Sequence, residues 1–460
     1  MGFEQIFATY VSYGKQNMHS YVSHMMMDRE TLRKIIAESL SFTLPETLER
    51  DMHIDLAIDK VIVLAGIRRS GKTYELYNII KKLLLLNVPR NRILYINFED
   101  ERFMNSTHED LDKIIDIYRE FSGVDAGAKV HLFLDEVQNI EGWDKWVRRM
   151  YESENYKIFV TGSSSKLLSS EIATSLAGRN ITYIVYPFSF KEFLSFKKIA
   201  VDRLSVYSNK GNYNKLLDEY LINGGFPEVV KTENPDSKIR ILSSYYDAII
   251  FRDLIQRYRI RDVNLLSSVL KFSLASYSGN FSASKLFNYL NSTGLRVSKR
   301  TVSNFIAYGK SVFLFDEIYA WSRSLRKANQ SRKKIYLTDP GFSLLFKRSD
   351  DMGKLLENAV MIQLLRTKVS ENMMDINYME IGGKEIDFVI SRFGEIVEGI
   401  NVSMELTQSN REREIRSLVE FMKKFKVKNG KIITFDTNDE VVVDGQKIEI
   451  MSFINWGLGI

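Results

Sequence analysis

The sequence predicts an α/β fold built on a parallel sheet, and three observations carry that expectation. Between residues 57 and 196, apolar runs of strand length alternate with helical stretches, the order of a parallel sheet covered by helices on both faces. The first run, Val61–Ala65, leads into Gly66-Ile67-Arg68-Arg69-Ser70-Gly71-Lys72-Thr73, a complete G-x-x-x-x-G-K-[ST] loop, and then into a helical stretch from Tyr74 to Leu86. A later run, Val130–Leu134, ends in the acids Asp135 and Glu136. Strand, glycine loop and helix in that order cradle phosphate, because loop N–H groups and the helix N-terminus turn positive partial charge on an anion. Gly66 and Gly71 let the backbone approach closely. Lys72 brings a full charge to the β- and γ-phosphates, and Thr73 brings a hydroxyl to Mg²⁺. The loop binds a nucleoside triphosphate on this reading.

The elements follow in order. Residues 1–56 read as a polar helical arm, with Met25, Met26 and Met27 at its middle and no evident chemistry. Residues 57–196 form the nucleotide-binding core, with strands expected at Val61–Ala65, Ile93–Phe98, Val130–Leu134, Lys157–Thr161 and Thr182–Tyr186. Residues 197–275 read as a helical lid, broken by a turn at Asn223-Gly224-Gly225-Phe226-Pro227. In residues 276–345, helices at Ser282–Leu290 and Ser298–Tyr308 precede strand-like runs at Val312–Trp321 and Lys334–Leu337. Helix, turn, helix and hairpin is the order of a winged helix. Residues 346–460 read as a mixed α/β domain. It has helices at Leu355–Arg366 and Arg411–Phe425, and strands at Ile376–Glu380, Ile386–Ser391, Ile396–Val402, Lys431–Phe435 and Glu440–Val443.

Composition bounds the function. With no cysteine in 460 residues, disulfides and thiolate zinc sites are excluded. No apolar run reaches the roughly 18 residues of a membrane span, and no leader peptide is evident, so a cytoplasmic protein without membrane insertion is expected. A net charge of +6 is compatible with nucleic acid without requiring it. Only six prolines point to domains packed directly on one another.

Hydrolysis needs a carboxylate for Mg²⁺ and a group that orients water. Asp135 fits the first role and Glu136 the second, at the strand ends where parallel sheets bind ligands. The next strand ends in Thr161-Gly162-Ser163-Ser164-Ser165, and either Thr161 or Ser163 is placed to sense the γ-phosphate. Arg179, after Leu176-Ala177-Gly178, is a candidate arginine finger toward a neighbouring subunit.

The run Leu134-Asp135-Glu136-Val137-Gln138-Asn139-Ile140-Glu141-Gly142-Trp143 resembles the L-D-E-[IV]-Q-x-[IV]-x-x-[WF] motif of a prokaryotic and archaeal AAA-type ATPase family with STAND-like relatives and a C-terminal domain of unknown function. Other matches are Thr161–Leu168, Leu176–Arg179, Tyr186-Pro187-Phe188-Ser189-Phe190-Lys191-Glu192-Phe193-Leu194 and Gly224-Gly225-Phe226-Pro227-Glu228. Phe251-Arg252-Asp253-Leu254, Lys334–Gly341 and Gly382–Val389 complete the set. The likeness runs in order over about residues 58–403. It implies ATP rather than GTP, places Arg179 on the family's L-x-G-R position, and leaves the biological role open.

Two further readings concern the second half. Ser298-Lys299-Arg300-Thr301 begins the second winged-helix helix with basic residues, where recognition helices meet DNA. Arg323, Arg326, Lys327, Arg332, Lys333 and Lys334 make the loop between the two strand-like runs basic, so double-stranded DNA is a candidate partner. Leu355-Leu356-Glu357-Asn358 and Glu385-Ile386-Asp387-Phe388-Val389 resemble the PD-(D/E)xK nuclease pattern, whose next strand would carry an acid and a lysine. The aligned positions are Asn401 and Ser403, and no lysine lies between Lys384 and Lys423, so an inactive nuclease-like domain is expected. An ATP-driven switch or motor of the AAA type is therefore the leading expectation. A slow-turnover signalling or scaffold ATPase acting on a protein client is the alternative, and an ATP-dependent nuclease is disfavoured. A homo-oligomer is expected if Arg179 works in trans.

Overall fold

Five parallel strands form the sheet that opens the chain, in the order β2-β3-β4-β1-β5. They are β1 (Val61–Ala65), β2 (Ile93–Asn97), β3 (Val130–Asp135), β4 (Tyr156–Gly162) and β5 (Asn180–Ile184). The computed structural model describes residues 27–460 apart from 105, 126, 164–174, 325, 327–330, 347–350 and 371–372. Residues 1–26 of the expected arm, the Ser164–Leu168 part of one motif, and Lys327 lie outside the described residues. The strands read as continuous apolar runs because both faces are covered. Alternate residues serve opposite faces. Val61, Val63, Leu132, Leu134, Ile158 and Val160 pack under α1 (Arg29–Ser41), α3 (His108–Ser122) and α4 (Trp143–Glu152). Ile62, Leu64, Phe133 and Phe159 pack under α2 (Lys72–Leu85).

Among the described residues the arm is helical over α1, which is capped by Asp28. Residues 42–60 hold no helix or strand and run as a strap along α2. Leu44, Met52, Ile54 and Leu56 contact the core beneath α2, Asn78 Nδ2 donates to the Leu48 carbonyl at 2.8 Å and Lys81 Nζ to the Pro45 carbonyl at 2.6 Å. Polar composition had pointed to a helix throughout. Docking of the strap's spaced apolar residues overrides that local preference.

Beyond the sheet come α5 (Phe190–Phe196), α6 (Lys210–Asn223) and α7 (Pro235–Ala248), which continues into a π-helical segment, Ile249–Gln256. Next are α8 (Val263–Ala275), β6 (Gly279–Phe281), α9 (Ala283–Ser292), α10 (Lys299–Ser311), β7 (Phe315–Tyr319) and β8 (Lys333–Leu337). The three strands form an antiparallel sheet in the order β6-β8-β7. The chain ends in α11 (Met352–Ser370), β9 (Met374–Ile381), β10 (Lys384–Arg392), β11 (Glu395–Ser403), α12 (Gln408–Phe425), β12 (Asn429–Thr434), β13 (Asp439–Val443), β14 (Gln446–Ser452) and α13 (Phe453–Leu458). Its six-stranded sheet is mixed, in the order β13-β14-β12-β11-β10-β9. One apolar core joins these parts, from Phe193 and Leu217 through Leu266 and Val302 to Ile335, Leu356, Phe388 and Phe453. The whole is a P-loop nucleoside-triphosphatase sheet followed by helices and two further sheets, an α/β protein as expected.

Two motif fragments meet in space. Asp339 accepts from Gly225 N at 2.7 Å and from Gly341 N at 2.9 Å. Gly224 has φ +77, and a Cβ there would lie 1.8 Å from Asp339 Oδ1, so only glycine lets this carboxylate come so close. Burial pushes the Asp339 carboxyl up to about 7, against the two N–H donors that hold it down.

Candidate nucleotide-binding site

The site is built where β1, β3 and β4 end side by side. Gly66 follows β1 against Val185, whose carbonyl oxygen would stand 2.2 Å from any Cβ added there. Gly71 caps α2 at φ +99, so the first N–H groups of that helix open into the loop. Ile67 is buried in the core and anchors the loop.

Thr73 and the acids converge. Thr73 Oγ1 donates to Asp135 Oδ2 at 2.7 Å, Tyr95 OH donates to the same oxygen at 3.0 Å, and Thr161 Oγ1 donates to Asp135 Oδ1. Burial and the neighbouring Glu136 charge push the Asp135 carboxyl upward, and the three hydroxyls pull it partly back. Glu136 adopts φ +49, a left-handed conformation unusual for a residue with a side chain, and its N–H donates to Thr161 Oγ1 at 2.8 Å. Its carboxylate lies 3.4 Å from Lys72 Nζ. Burial opposes ionisation of Glu136, but Lys72 and Arg68 outweigh it and hold the carboxyl below its ordinary value. Lys72 Nζ also donates to the Gly66 and Ile67 carbonyls, each at 3.2 Å. Ser70 Oγ is buried with no partner among the described residues. An orphaned loop hydroxyl, a buried ammonium resting on backbone carbonyls and an aspartate pushed upward fit a site built for phosphate and a divalent cation.

Arg68 and Arg69, two variable positions of the motif, both face the helical segment. Arg68 forks onto Asp253, and the Arg69 guanidinium lies 5.8 Å from the centre of the Tyr245 ring. Of the two sensor candidates, Thr161 bridges Asp135 and Glu136, whereas Ser163 Oγ lies 3.4 Å from Asp253. Arg179 stands apart from all of them. Its carbonyl accepts from Val61 N at 2.9 Å, at the opposite end of β1 from the loop, and its guanidinium pairs with Glu152. The structure therefore brings Lys72, Thr73, Asp135, Glu136 and Thr161 together and leaves Arg179 outside its own chain's pocket.

Sequence reasoning missed Arg50. Its Nη1 donates to the Ser70 carbonyl at 3.2 Å, its Nη2 to the Tyr186 carbonyl at 2.6 Å and its Nε to Glu192 at 2.9 Å. No spacing in the sequence links residue 50 to a loop twenty positions later. The matched Glu192, in a family motif with no assigned chemistry, was the one available signal.

The basic loop and the nuclease-like pattern need correction. Lys334 does not face solvent. It is buried, with its ammonium 3.0 Å from Glu357, 2.6 Å from Glu385 and 3.5 Å from Asp387. Lys333 pairs with Glu317 at 3.1 Å, and of the described basic loop residues only Arg323, Arg326 and Arg332 are exposed. Asn401 is not beside the acids either. Its Nδ2 bonds Glu414 and Ser417 on α12, while Ile400 and Val402 lie on the face that packs with Phe388. β10 and β11 pair with Phe388 opposite Ile400, so side chains one position along point the other way. Where the nuclease pattern wants an acid and a lysine, this face carries two apolar residues, and the lysine among the carboxylates comes from β8.

A sheet with its glycine loop, loop lysine and paired strand-end acids defines the P-loop nucleoside triphosphatases as the class. An AAA domain matches residues 58–194, and a domain of unknown function (DUF8612) matches residues 214–351. The chain is 34% identical over 444 residues to the uncharacterized protein MJ1544 of Methanocaldococcus jannaschii, spanning 95% of this chain and 97% of that one. It is 30% identical over 401 residues to an uncharacterized protein of Haemophilus influenzae, spanning 86% and 94%. Solved structures to which the chain is similar include the Walker-type ATPase PABY2304 of Pyrococcus abyssi (TM-score 0.38, 18% identity, 71% of this chain and 97% of that one) and the Aeropyrum pernix ORC1 protein in complex with DNA (TM-score 0.26, 15%, 75% and 97%). The chain belongs to the AAA-type P-loop ATPase family that joins an AAA domain to this domain of unknown function. No helix among the described residues is long and apolar enough to cross a membrane.

Proposed function

We propose that the protein hydrolyses ATP with Mg²⁺ and uses the cycle as a switch that engages double-stranded DNA. The observation that carries the hydrolytic part is the meeting of Lys72, Thr73, Asp135 and Glu136 at one sheet edge. Lys72 binds the β- and γ-phosphates, exchanging the loop carbonyls and the Glu136 carboxylate for phosphate oxygens. Glu136, held ionised, then stands free to orient water and accept its proton. Thr73 and Asp135 would hold Mg²⁺, which would neutralise charge developing on the phosphates. Thr161 fixes both acids relative to each other. Arg179, outside its own pocket, acts on a neighbouring subunit's ATP.

The DNA reading rests on α8 to β8. Helix, short strand, two helices and two strands make the order of a winged helix, with Arg296, Lys299 and Arg300 exposed where α10 begins. Arg323, Arg326 and Arg332 extend the charge along the wing. ATP turnover measured with and without duplex DNA, beside solution mass with and without ATP, tests the proposal. DNA-stimulated multiple turnover in an oligomer supports it.

A slow signalling switch is the second reading. It draws on the bonds that tie the loop to distant segments through Arg68 and Arg50. Nucleotide that copurifies with a monomer and scarcely turns over would favour it.

A further inference from the structure

Asp253 belongs to the matched Phe251-Arg252-Asp253-Leu254 run, which the site as described so far does not use. It sits in the π-helical segment that continues α7, and it is buried. A π-turn inside a helix is rare and recurs at functional sites. Arg68 Nε lies 3.1 Å from Asp253 Oδ2, and Arg68 Nη2 lies 3.2 Å from Oδ1, a two-pronged pairing that fixes the guanidinium plane. Arg68 Nη1 donates to Glu99 at 2.6 Å. Ser163 Oγ, at the end of β4, reaches Asp253 Oδ1 at 3.4 Å. One carboxylate thus holds a phosphate-loop side chain and a strand-end hydroxyl from outside the sheet. Arg68 lies near enough to Glu136 for their charges to act on each other. Ser163 follows β4 and Glu99 follows β2, the two strands that flank β3, which sets the guanidinium beside the strand end bearing Glu136, where the terminal phosphate and the attacking water would belong.

Resting on the ATPase reading, we infer that Asp253 is a positioning residue for hydrolysis, holding Arg68 against the γ-phosphate end of the loop and registering the lid on the sheet. The acid touches neither phosphate nor water. It sets where the Arg68 charge sits, and it makes that placement depend on the lid segment being docked. Arg69 over Tyr245 is a second lid contact to the same loop, with Tyr245 itself bonded to Glu228.

The test compares steady-state kinetics and nucleotide affinity of the full chain with those of D253N, R68K and K72A. D253N keeps the shape and loses the charge. R68K keeps the charge and loses the fork. Both should hold KM and ADP affinity within a few-fold of wild type and lower kcat by about 10²-fold, the scale of a displaced reacting group. Both should also lose the extra affinity for ADP with aluminium fluoride, which reports the geometry of the transferring phosphoryl group. Wild-type kcat in R68K, or in a folded D253N, overturns the assignment. So does a fall in affinity that matches the fall in kcat, because the pair would then merely hold the loop together. If D253N does not fold, R68K decides alone, since it keeps the charge of a loop residue. A wild-type chain that neither binds nor turns over ATP, indistinguishable from K72A, refutes the ATPase reading itself.

Discussion

At residue scale the proposed reaction assigns binding and chemistry to different side chains. K72A removes the cation that a desolvated triphosphate requires, and nucleotide affinity measured by calorimetry should be abolished. E136Q should bind ATP as wild type does and hydrolyse it about 10²-fold more slowly or worse, the loss of a general base. D135N should weaken Mg²⁺-dependent binding first. Because Lys72 and Arg68 hold Glu136 ionised, the pH–rate profile should show no loss of this base across the neutral range. That Lys72, Thr73, Asp135 and Glu136 come together was legible in the sequence because each lies within a few positions of a strand end or the loop that follows one. Arg50 and Asp253 were not, since only folding brings them to the loop. The Lys334 ammonium shows the limit in another way: a run of basic residues reads as one charged surface, yet β8 turns alternate side chains inward, and Lys334 goes to three carboxylates.

Element scale sorts the DNA question. Exposed charges at the start of α10 and along the loop between β7 and β8 include Arg296, Lys299, Arg300, Arg323, Arg326 and Arg332. Replacing Lys299, Arg300, Arg326 and Arg332 with Glu should weaken duplex binding about equally for all sequences and flatten its salt dependence, read by anisotropy at several salt concentrations. A wild-type chain with no affinity at low salt would end the idea. K334E should instead disrupt folding, because it adds a fourth acid to a buried cluster. The five parallel strands were visible as apolar runs, with bounds within about two residues. Two later strands were not. β6 has only three residues, one of them glycine. β14 follows Asp444-Gly445, both at positive φ, an Asp-Gly hairpin turn that does announce a returning strand.

For the whole molecule, Glu192 is the joint. Arg50 from the strap lies 2.9 Å from its carboxylate and Arg366 from α11 lies 3.2 Å away, with all three side chains largely buried. Burial would raise the Glu192 carboxyl; Arg366 and Arg50 outweigh that and hold it at about 2, against 4.5 ordinarily. A carboxyl depressed on folding contributes stability that is fully present above its unfolded value. That stability should be lost as pH falls from about 4.5 toward 2, seen as an acid limb in thermal unfolding. E192Q should flatten the limb and, by leaving two buried guanidiniums short of a partner, cost about 3 kcal/mol or more. Assembly is tested by mixing: R179A should bind ATP and fail to turn it over, and adding K72A should restore part of the rate if Arg179 serves a neighbour. The Glu192 joint also orders events during synthesis. Arg50 leaves the ribosome before the phosphate loop, Glu192 after it, and Arg366 only with the last quarter of the chain. A nascent chain that has completed its parallel sheet still lacks Arg366, one of the two cations that neutralise Glu192, so the acid that holds Arg50 beside the Ser70 carbonyl is not yet charge-balanced. Nucleotide competence should therefore arrive late, and chains halted after residue 345 should bind ATP more weakly than the full chain, although every residue proposed to contact phosphate is already present.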